Sequence, residues 1–315
     1  MLHKIGALYM DLRQLQYILM VAEERSFSKA AQKLYIAQPS LSQYIQKLEQ
    51  QLGVQLFDRS TTPLKLTYAG ELYIETAKKI LDLKDQLSQQ MEDIANLKKG
   101  RLTIGLSPFR STYIMPKVLP LFIEKYPGIE VVLLEGTSPE LVDYAVKGTT
   151  DISIMTLPVQ EALLSYEEIF REEILVALPQ RHPLIEKLNV SFIAHNSYPK
   201  INLSLLENDS FILLKQDQKL HQIAVQLCKQ AGFKPHIILE SESIEAAHAL
   251  ATAGMGATFV PDTLAYFGNT INKPLYCSIE NLQSMRTLVV AYRKGRYLSK
   301  AASEFINIMK ACLGN

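Results

Sequence analysis

The chain has 315 residues, of which 48% are hydrophobic, and its net charge is +1 at pH 7. That length suggests about two to three domains, and the apolar content is enough for packed cores, which argues against a disordered chain. The near-neutral balance excludes a globally basic nucleic-acid binder, so any basic footprint must be local; no apolar run approaches the ~18 residues of a membrane span, so no membrane partner is expected.

The first ten residues, MLHKIGALYM, lack the apolar core and cleavage site of a signal peptide. Residues 1–10 read as an extension with Met10 as an alternative start, and the expected location is cytoplasmic. Leu12–Glu24 follows as an amphipathic helix with Leu12, Leu15, Ile18, Leu19 and Ala22 on its core face. Next come two short helices separated by a turn. Ser28 can cap the first, which Lys29, Ala30, Ala31 and Leu34 carry. Pro39 can open the second, because its missing N–H falls among donors that lack helical partners. Leu41, Ile45, Leu48 and Leu52 share one face of that second helix, leaving Ser40, Ser42, Gln43, Gln46, Lys47 and Gln50 outward.

Such a face, rich in donors and acceptors and poor in acids, suits base edges and phosphates. Alone it is more often an ordinary solvated surface, but its neighbours shift the balance. The pair has helix-turn-helix spacing. After Gly53, Gln55–Phe57 and Leu64–Leu66 can form a hairpin whose tip, Arg59 to Pro63, is a wing. The unit also leans basic: Arg13, Arg25, Lys29, Lys33, Lys47, Arg59 and Lys65 outnumber Asp11, Glu23, Glu24, Glu49 and Asp58.

On these residues the sequence resembles the LysR-type transcriptional regulators. The resemblance is carried by Leu12-Arg13-Gln14-Leu15, Ser26-Phe27-Ser28-Lys29-Ala30-Ala31, Gln38-Pro39-Ser40-Leu41-Ser42, Ile45, Leu48-Glu49, Leu52-Gly53, Leu56-Phe57-Asp58-Arg59 and Leu66-Thr67-Tyr68-Ala69-Gly70. It implies an N-terminal winged helix-turn-helix over residues 1–66, a linker and dimerisation helix over 67–99, and a C-terminal two-lobed, periplasmic-binding-protein-like α/β effector domain over 100–315. The DNA-binding set is Ser28, Gln38, Pro39, Ser40, Ser42, Gln43, Lys47, Arg59, Thr61 and Lys65. The chain departs from the family pattern at three places. Ala37 stands where Ser or Thr is common, Gln43 where Arg is common, and Thr61-Thr62-Pro63 where arginines are common. Glutamine pairs with adenine and arginine with guanine, so the base preference is this chain's own.

Residues 68–98 read as one long helix ending before Gly100. Ile80, Leu83, Leu87, Met91, Ile94 and Leu97 repeat at steps of three and four, the narrow stripe of a coiled-coil seam. Ile80, Leu83, Leu87, Met91 and Ile94 are the expected dimerisation residues; the alternative is a helix packed on its own domain. From Arg101 strands and helices alternate: Leu102–Leu106, helix Met115–Lys125, Ile129–Leu134, helix Pro139–Lys147, Asp151–Met155, Glu173–Leu178. A second set follows: Phe211–Leu214, helix Lys219–Gln230, His236–Glu240, helix Ser243–Ala253, Ala257–Val260. Strand Thr287–Tyr292 and helix Leu298–Leu313 close the chain. The order predicts parallel sheets in two lobes, about 100–178 plus 281–315, and 179–280. Residues 185–210 are longer than the family usually carries and contain a surface insertion.

Ligands in open α/β sheets sit beyond the carboxyl ends of the strands. By that rule Ser107, Phe109, Arg110, Thr137, Ser138, Ser241 and Ser243 are the candidate effector-binding residues, with Arg110 the leading choice for a negative charge; serines and threonines before helices are also ordinary caps. The expected partners are double-stranded promoter DNA, a second copy of the chain (a homodimer, and by resemblance a homotetramer), RNA polymerase, and a small-molecule effector, an anion or carboxylate.

Two other classes have less support. For an enzyme, neither GxGxxG, GxxxxGK[ST] nor GxSxG is present, and the six histidines lack metal-ligand spacing. No catalytic residue, metal or cofactor is expected. The three cysteines, Cys228, Cys277 and Cys312, read as free thiols. A solute-binding protein fits the two lobes but not the helix-turn-helix or the missing export signal.

Overall fold

The computed structural model describes residues 11–94, 100–187, 198–267, 273–280 and 283–314; the side chains of 89 and 92–94 are outside that description. Contacts divide the chain into two compact units, Met1–Met91 and Glu92–Asn315.

In the first unit, α1 (Leu12–Glu24) starts at a capping box. Asp11 Oδ1 accepts from the Arg13 N–H at 3.0 Å and Gln14 Oε1 from the Asp11 N–H at 3.3 Å. Its buried face is Leu15, Ile18 and Val21; Leu12, expected inside, is 41% exposed. Helix α2 (Phe27–Lys33) is capped by Ser26, not Ser28: Ser26 Oγ accepts from the Lys29 N–H at 3.4 Å, while Ser28 lies inside the helix with its side chain exposed. Buried Ala30 and Ala31 let α2 approach its neighbours. Helix α3 (Gln38–Leu52) has Pro39 in its first turn and is capped by Gly53, whose φ of 72° is the left-handed C-cap conformation that glycine adopts without strain. Leu41, Ile45 and Leu48 join the core with Leu56 and Phe57. Strands β1 (Phe57–Asp58) and β2 (Lys65–Leu66) pair antiparallel as the wing. Helix α4 (Tyr68–Ile94) enters against the Leu56 backbone; a Cβ on Gly70 would sit 2.0 Å from the Leu56 carbonyl oxygen, so only glycine fits there.

The second unit opens with β3 (Gly100–Leu106), α5 (Pro108–Tyr113), α6 (Met115–Lys125), β4 (Ile129–Glu135), α7 (Ser138–Lys147), β5 (Ile152–Thr156) and β6 (Leu164–Leu178). It continues with α8 (Leu184–Lys187), β7 (Lys200–Ile201), a 3-10 turn at Leu203–Leu206, β8 (Ser210–Leu214), α9 (Lys219–Gln230), β9 (His236–Ser241), α10 (Ile244–Thr252), β10 (Thr258–Pro261), α11 (Asp262–Phe267), β11 (Leu275–Ile279), β12 (Met285–Arg293) and α12 (Lys300–Leu313).

Two cores correspond to two lobes. One gathers Leu102, Ile104, Phe122, Ile152, Leu288 and Phe305; the other gathers Val176, Phe211, Ile212, Leu227, Phe259 and Cys277. The expected parallel sheets are in fact mixed. Strands β3, β4 and β5 run parallel, but β12 is antiparallel to both β5 and β6. The reason is β6, a 15-residue strand where a short one over Glu173–Leu178 was expected. Its first half pairs with β12 and its last part with β10 and β11, so one strand runs through both lobes. Its register shifts against β12 between Leu288 and Val289, leaving Ile169 as the extra residue of a bulge. Part of the 185–210 insertion is described: β7 pairs parallel with β11, and Leu203 and Leu206 are buried.

Candidate functional site

Two surfaces bring the predicted residues together. On the first, α3 buries its single acid. Glu49 is 7% exposed; its Oε1 accepts from the Leu56 and Phe57 N–H groups at 2.8 and 3.2 Å, and its Oε2 accepts from Arg59 Nη2 at 2.9 Å. The outward face of α3 is therefore free of acids, and Gln38, Pro39, Ser40, Gln43 and Lys47 are exposed on it. Lys65 on the wing is exposed as well, and so is Ser28 on α2.

Arg59, expected as a DNA contact and 37% exposed, also has partners within the protein. Besides Glu49 it donates from Nη1 to Ser42 Oγ at 3.4 Å, and its guanidinium lies 5.1 Å from the Phe27 ring centroid. It ties the base of the wing to α3 and α2. Ser42 is half-buried under that contact, and Thr61 Oγ1 donates to the Asp58 carbonyl at 3.2 Å, shaping the wing tip. Tyr35, which sequence reading passed over, stands 95% exposed in the turn between α2 and α3 with φ at 55°. An aromatic after a leucine gives no signal of that conformation, which only the packing of the turn imposes.

Of the dimerisation stripe on α4, Leu83, Leu87 and Met91 are 64%, 57% and 51% exposed, and Ile80 is half-buried. The side chain of Ile94 lies outside the described residues.

The second surface is a cleft of about 710 Å³ between the lobes, at the carboxyl ends of β3, β4, β5 and β8. It brings together Ser107, Phe109, Arg110, Thr137, Ser138 and Ser243; Ser241 is not among its lining residues. Most of these hydroxyls are committed. Ser107 Oγ accepts from the Arg110 N–H, capping α5. Thr137 donates from both N–H and Oγ1 to Glu140 Oε2, each at 2.8 Å. Ser243 Oγ donates to Glu245 Oε2 and accepts from the Ala246 N–H. Ser241 Oγ turns inward to the Ser243 carbonyl.

Arg110 is corrected too. It is 3% exposed, and both its terminal nitrogens are paired with Glu172, Nη1 to Oε2 at 2.8 Å and Nη2 to Oε1. Glu172, fully buried on β6, also accepts from Arg286 Nε at 2.6 Å and from Thr263 Oγ1 at 2.7 Å. Burial alone would raise the pKa of this carboxyl, but Arg110 and Arg286 beside it prevail and hold it at about 2. Four donors fill its two oxygens. The network joins α5 of one lobe, α11 of the other and the two strands between them. Arg110 sits in a fixed ion pair, whereas among the described residues the terminal nitrogens of Arg286, which sequence reading missed, have no protein acceptor. Nothing in Met285-Arg286-Thr287 distinguishes it from a solvated strand end.

Across the cleft, Lys219 Nζ donates to the carbonyls of Thr156 and Pro158 at 2.6 and 3.0 Å. Burial and the nearby Arg286 hold its pKa below the ordinary lysine value. Among the described residues no group of His, Cys, Asp and Glu could hold a metal ion, and no helix is long and apolar enough to cross a membrane.

The comparisons with known proteins agree with this layout. Residues 12–71 match the family model "Bacterial regulatory helix-turn-helix protein, lysR family", and residues 95–313 match "LysR substrate binding domain". The HTH-type transcriptional regulator YcgK of Bacillus subtilis is 33% identical, with 97% of this chain and 98% of the relative covered. Among solved structures, a full-length OxyR point variant from Pseudomonas aeruginosa superimposes with a TM-score of 0.72 at 24% identity, covering 97% of this chain and 96% of that one. The structure of full-length CbnR complexed with its target DNA superimposes with a TM-score of 0.63 at 23% identity, covering 96% and 100%. An N-terminal helix-turn-helix, a C-terminal substrate-binding domain and matches across nearly the whole chain lead to one conclusion: the protein belongs to the LysR family of transcriptional regulators.

Proposed function

We propose that the chain acts in the cytoplasm as a dimer whose two α3 helices enter major grooves of a promoter half-site pair, and that the cleft between its lobes takes a small anionic effector. The observation that carries the DNA half is the inward turn of Glu49, which leaves α3 with a proline-headed outward face of Gln, Ser and Lys. Lys65 and Tyr35 flank that face and suit sugar-phosphate contacts. Dimerisation is supported by Leu83, Leu87 and Met91, spaced four apart and more than half exposed on α4; a symmetric partner would cover them. Two such dimers would form the tetramer, and RNA polymerase would be the downstream partner on the promoter.

The effector half is supported by the cleft and by the Glu172 network beneath it. A ligand binding one lobe arrangement better than another would shift the population of the assembly, and with it the spacing of the reading heads. Hydroxyl-radical footprinting of the full-length protein on the DNA upstream of its own reading frame tests the proposal. The expected result is two protected patches related by a dyad, one helical turn or a multiple of it apart. A single patch without dyad symmetry would argue against paired heads.

A further inference from the structure

Arg110, Arg286 and Lys219 all line the cleft. Arg286 is buried to about nine-tenths, with a side-chain exposure of 10%. Its Nε is taken by Glu172, but among the described residues neither terminal nitrogen has a protein acceptor, although the side chain lines the cleft. Glu172 cannot serve them, because Arg110, Thr263 and the Arg286 Nε already occupy both of its oxygens. Lys219, reaching in from the other lobe, has only backbone carbonyls as hydrogen-bond partners among the described residues. It begins α9, a 12-residue helix with no side-chain cap, since the Gln218 amide donates instead to the Glu242 carbonyl at 2.9 Å. Two cations and a set of uncapped N–H groups therefore face one place, where the acids acting on Arg286 are Glu172, whose oxygens are already filled, and Asp262.

The walls and mouth are of other kinds. Leu141, Ile154, Met155, Leu214, Leu220 and Leu288 make much of the lining apolar. The exposed acids Glu135, Glu140, Asp217 and Glu242 and the half-buried Glu245 stand at the lining too; Glu242 pairs with Lys215, Glu140 accepts from Thr137 and Glu245 from Ser243.

We infer that the cleft recognises a monocarboxylate with an apolar body, its carboxylate held by the free edge of the Arg286 guanidinium and by Lys219. A planar two-oxygen head matches the guanidinium fork, the apolar walls take the body, and the acidic mouth disfavours a second negative charge. This deepens, and rests on, the proposal that the cleft is the effector site. It moves anion recognition from Arg110 to Arg286, which also bonds Glu172, so head-group binding acts directly on the network that joins the lobes.

The test uses the full-length protein in thermal-shift and calorimetric titrations with hexanoate, benzoate, hexanamide, adipate and hexylamine. Hexanoate or benzoate should raise Tm, with hexanamide, adipate and hexylamine each at least tenfold weaker. Arg286→Gln should weaken the carboxylate at least tenfold, and Arg286→Lys, which keeps the charge beside Glu172 but loses the fork, should weaken it as well. A Lys219→Gln variant, outside the Glu172 network, should weaken it several-fold. Equal binding of hexanoate and hexanamide, tighter binding of adipate, no response to either carboxylate, or carboxylate binding indifferent to all three variants would overturn the inference. A plugged variant, Thr156→Trp, separates it from its foundation. If hexanamide or hexylamine binds best and the plug abolishes that binding, the cleft stands as the effector site and the carboxylate assignment falls. If a ligand binds the plugged protein undiminished, the cleft itself is not where it binds.

Discussion

Arg59 and Lys65 both lie on the wing and both read from sequence as phosphate contacts, yet the structure gives them different work. Arg59 is braced by Glu49, Ser42 and the Phe27 ring, while Lys65 is exposed. Salt dependence separates the two roles. Removing a phosphate contact lowers the slope of log K against log salt by about 0.9; removing a brace lowers affinity at every salt concentration without changing the slope. Lys65→Ala should therefore flatten the slope in fluorescence-anisotropy titrations, and Arg59→Ala should weaken binding at an unchanged slope. A flattened slope for Arg59→Ala would make it a phosphate ligand after all. Glu172 makes a second residue-scale prediction. Its carboxyl is held at about 2 in the folded protein, below the ~4.3 of an unfolded glutamate. A depressed folded value stabilises above the unfolded pKa, and that stability is lost as pH falls through about 4 towards 2. Glu172→Gln should lower stability at pH 7 by about 3–5 kcal/mol, because it leaves Arg110 and Arg286 buried without a full counter-charge, and should flatten the acid limb of the pH–stability curve. Denaturant titrations from pH 7 to pH 3 read both effects, and an unaltered acid limb would mean that Glu172 does not carry the linkage.

At the scale of elements, α3 and α4 were legible because each is written as a period. Leu41, Ile45 and Leu48 mark the inner face of α3, and Pro39 and Gly53 mark its ends. The stripe on α4 is just as regular, and its exposure in the single chain leads to a sharp expectation. Leu87→Glu places a charge in the middle of the proposed seam, and the association constant should fall by about 30-fold or more in analytical ultracentrifugation. An unchanged association constant would mean that the copies meet elsewhere. Elements whose positions depend on distant partners were not legible. Of strand β6 only Glu173–Leu178 was read, because Glu167, Glu168, Glu172 and Glu173 break its apolar pattern and the bulge at Ile169 shifts its alternation. Helix α11 and strand β11 were missed altogether: β11 is recognisable only by its pairing with β6, and the six-residue α11 is too short for periodicity to mark. Ser28 was expected as the cap of α2; Ser26 fits the same rule, and the choice between them is made by where α2 begins.

For the whole molecule, the family resemblance reached both units, whereas the chemistry of the cleft came only with the tertiary structure. Sequence reading could bring Ser107, Thr137 and Ser243 to one cleft by a rule about strand ends, but it could not see that their hydroxyls are already spent. Nor could it see that Arg110 is matched by an acid 62 positions away. The other cations lining the cleft floor, Arg286 and Lys219, are on segments with no motif. The proposed DNA-reading surface is the opposite case, a local structure written in one continuous stretch. The most direct test is the anisotropy titration of the full-length protein and its Gln43→Ala variant, on the duplex upstream of its own reading frame and on a scrambled duplex of equal length. Loss of a good base contact costs about 1–3 kcal/mol, so the variant should bind the upstream duplex about 5- to 150-fold more weakly and the scrambled duplex as well as before. Equal binding of the upstream duplex by both proteins, or an equal loss on both duplexes, would contradict the claim that this face of α3 reads sequence.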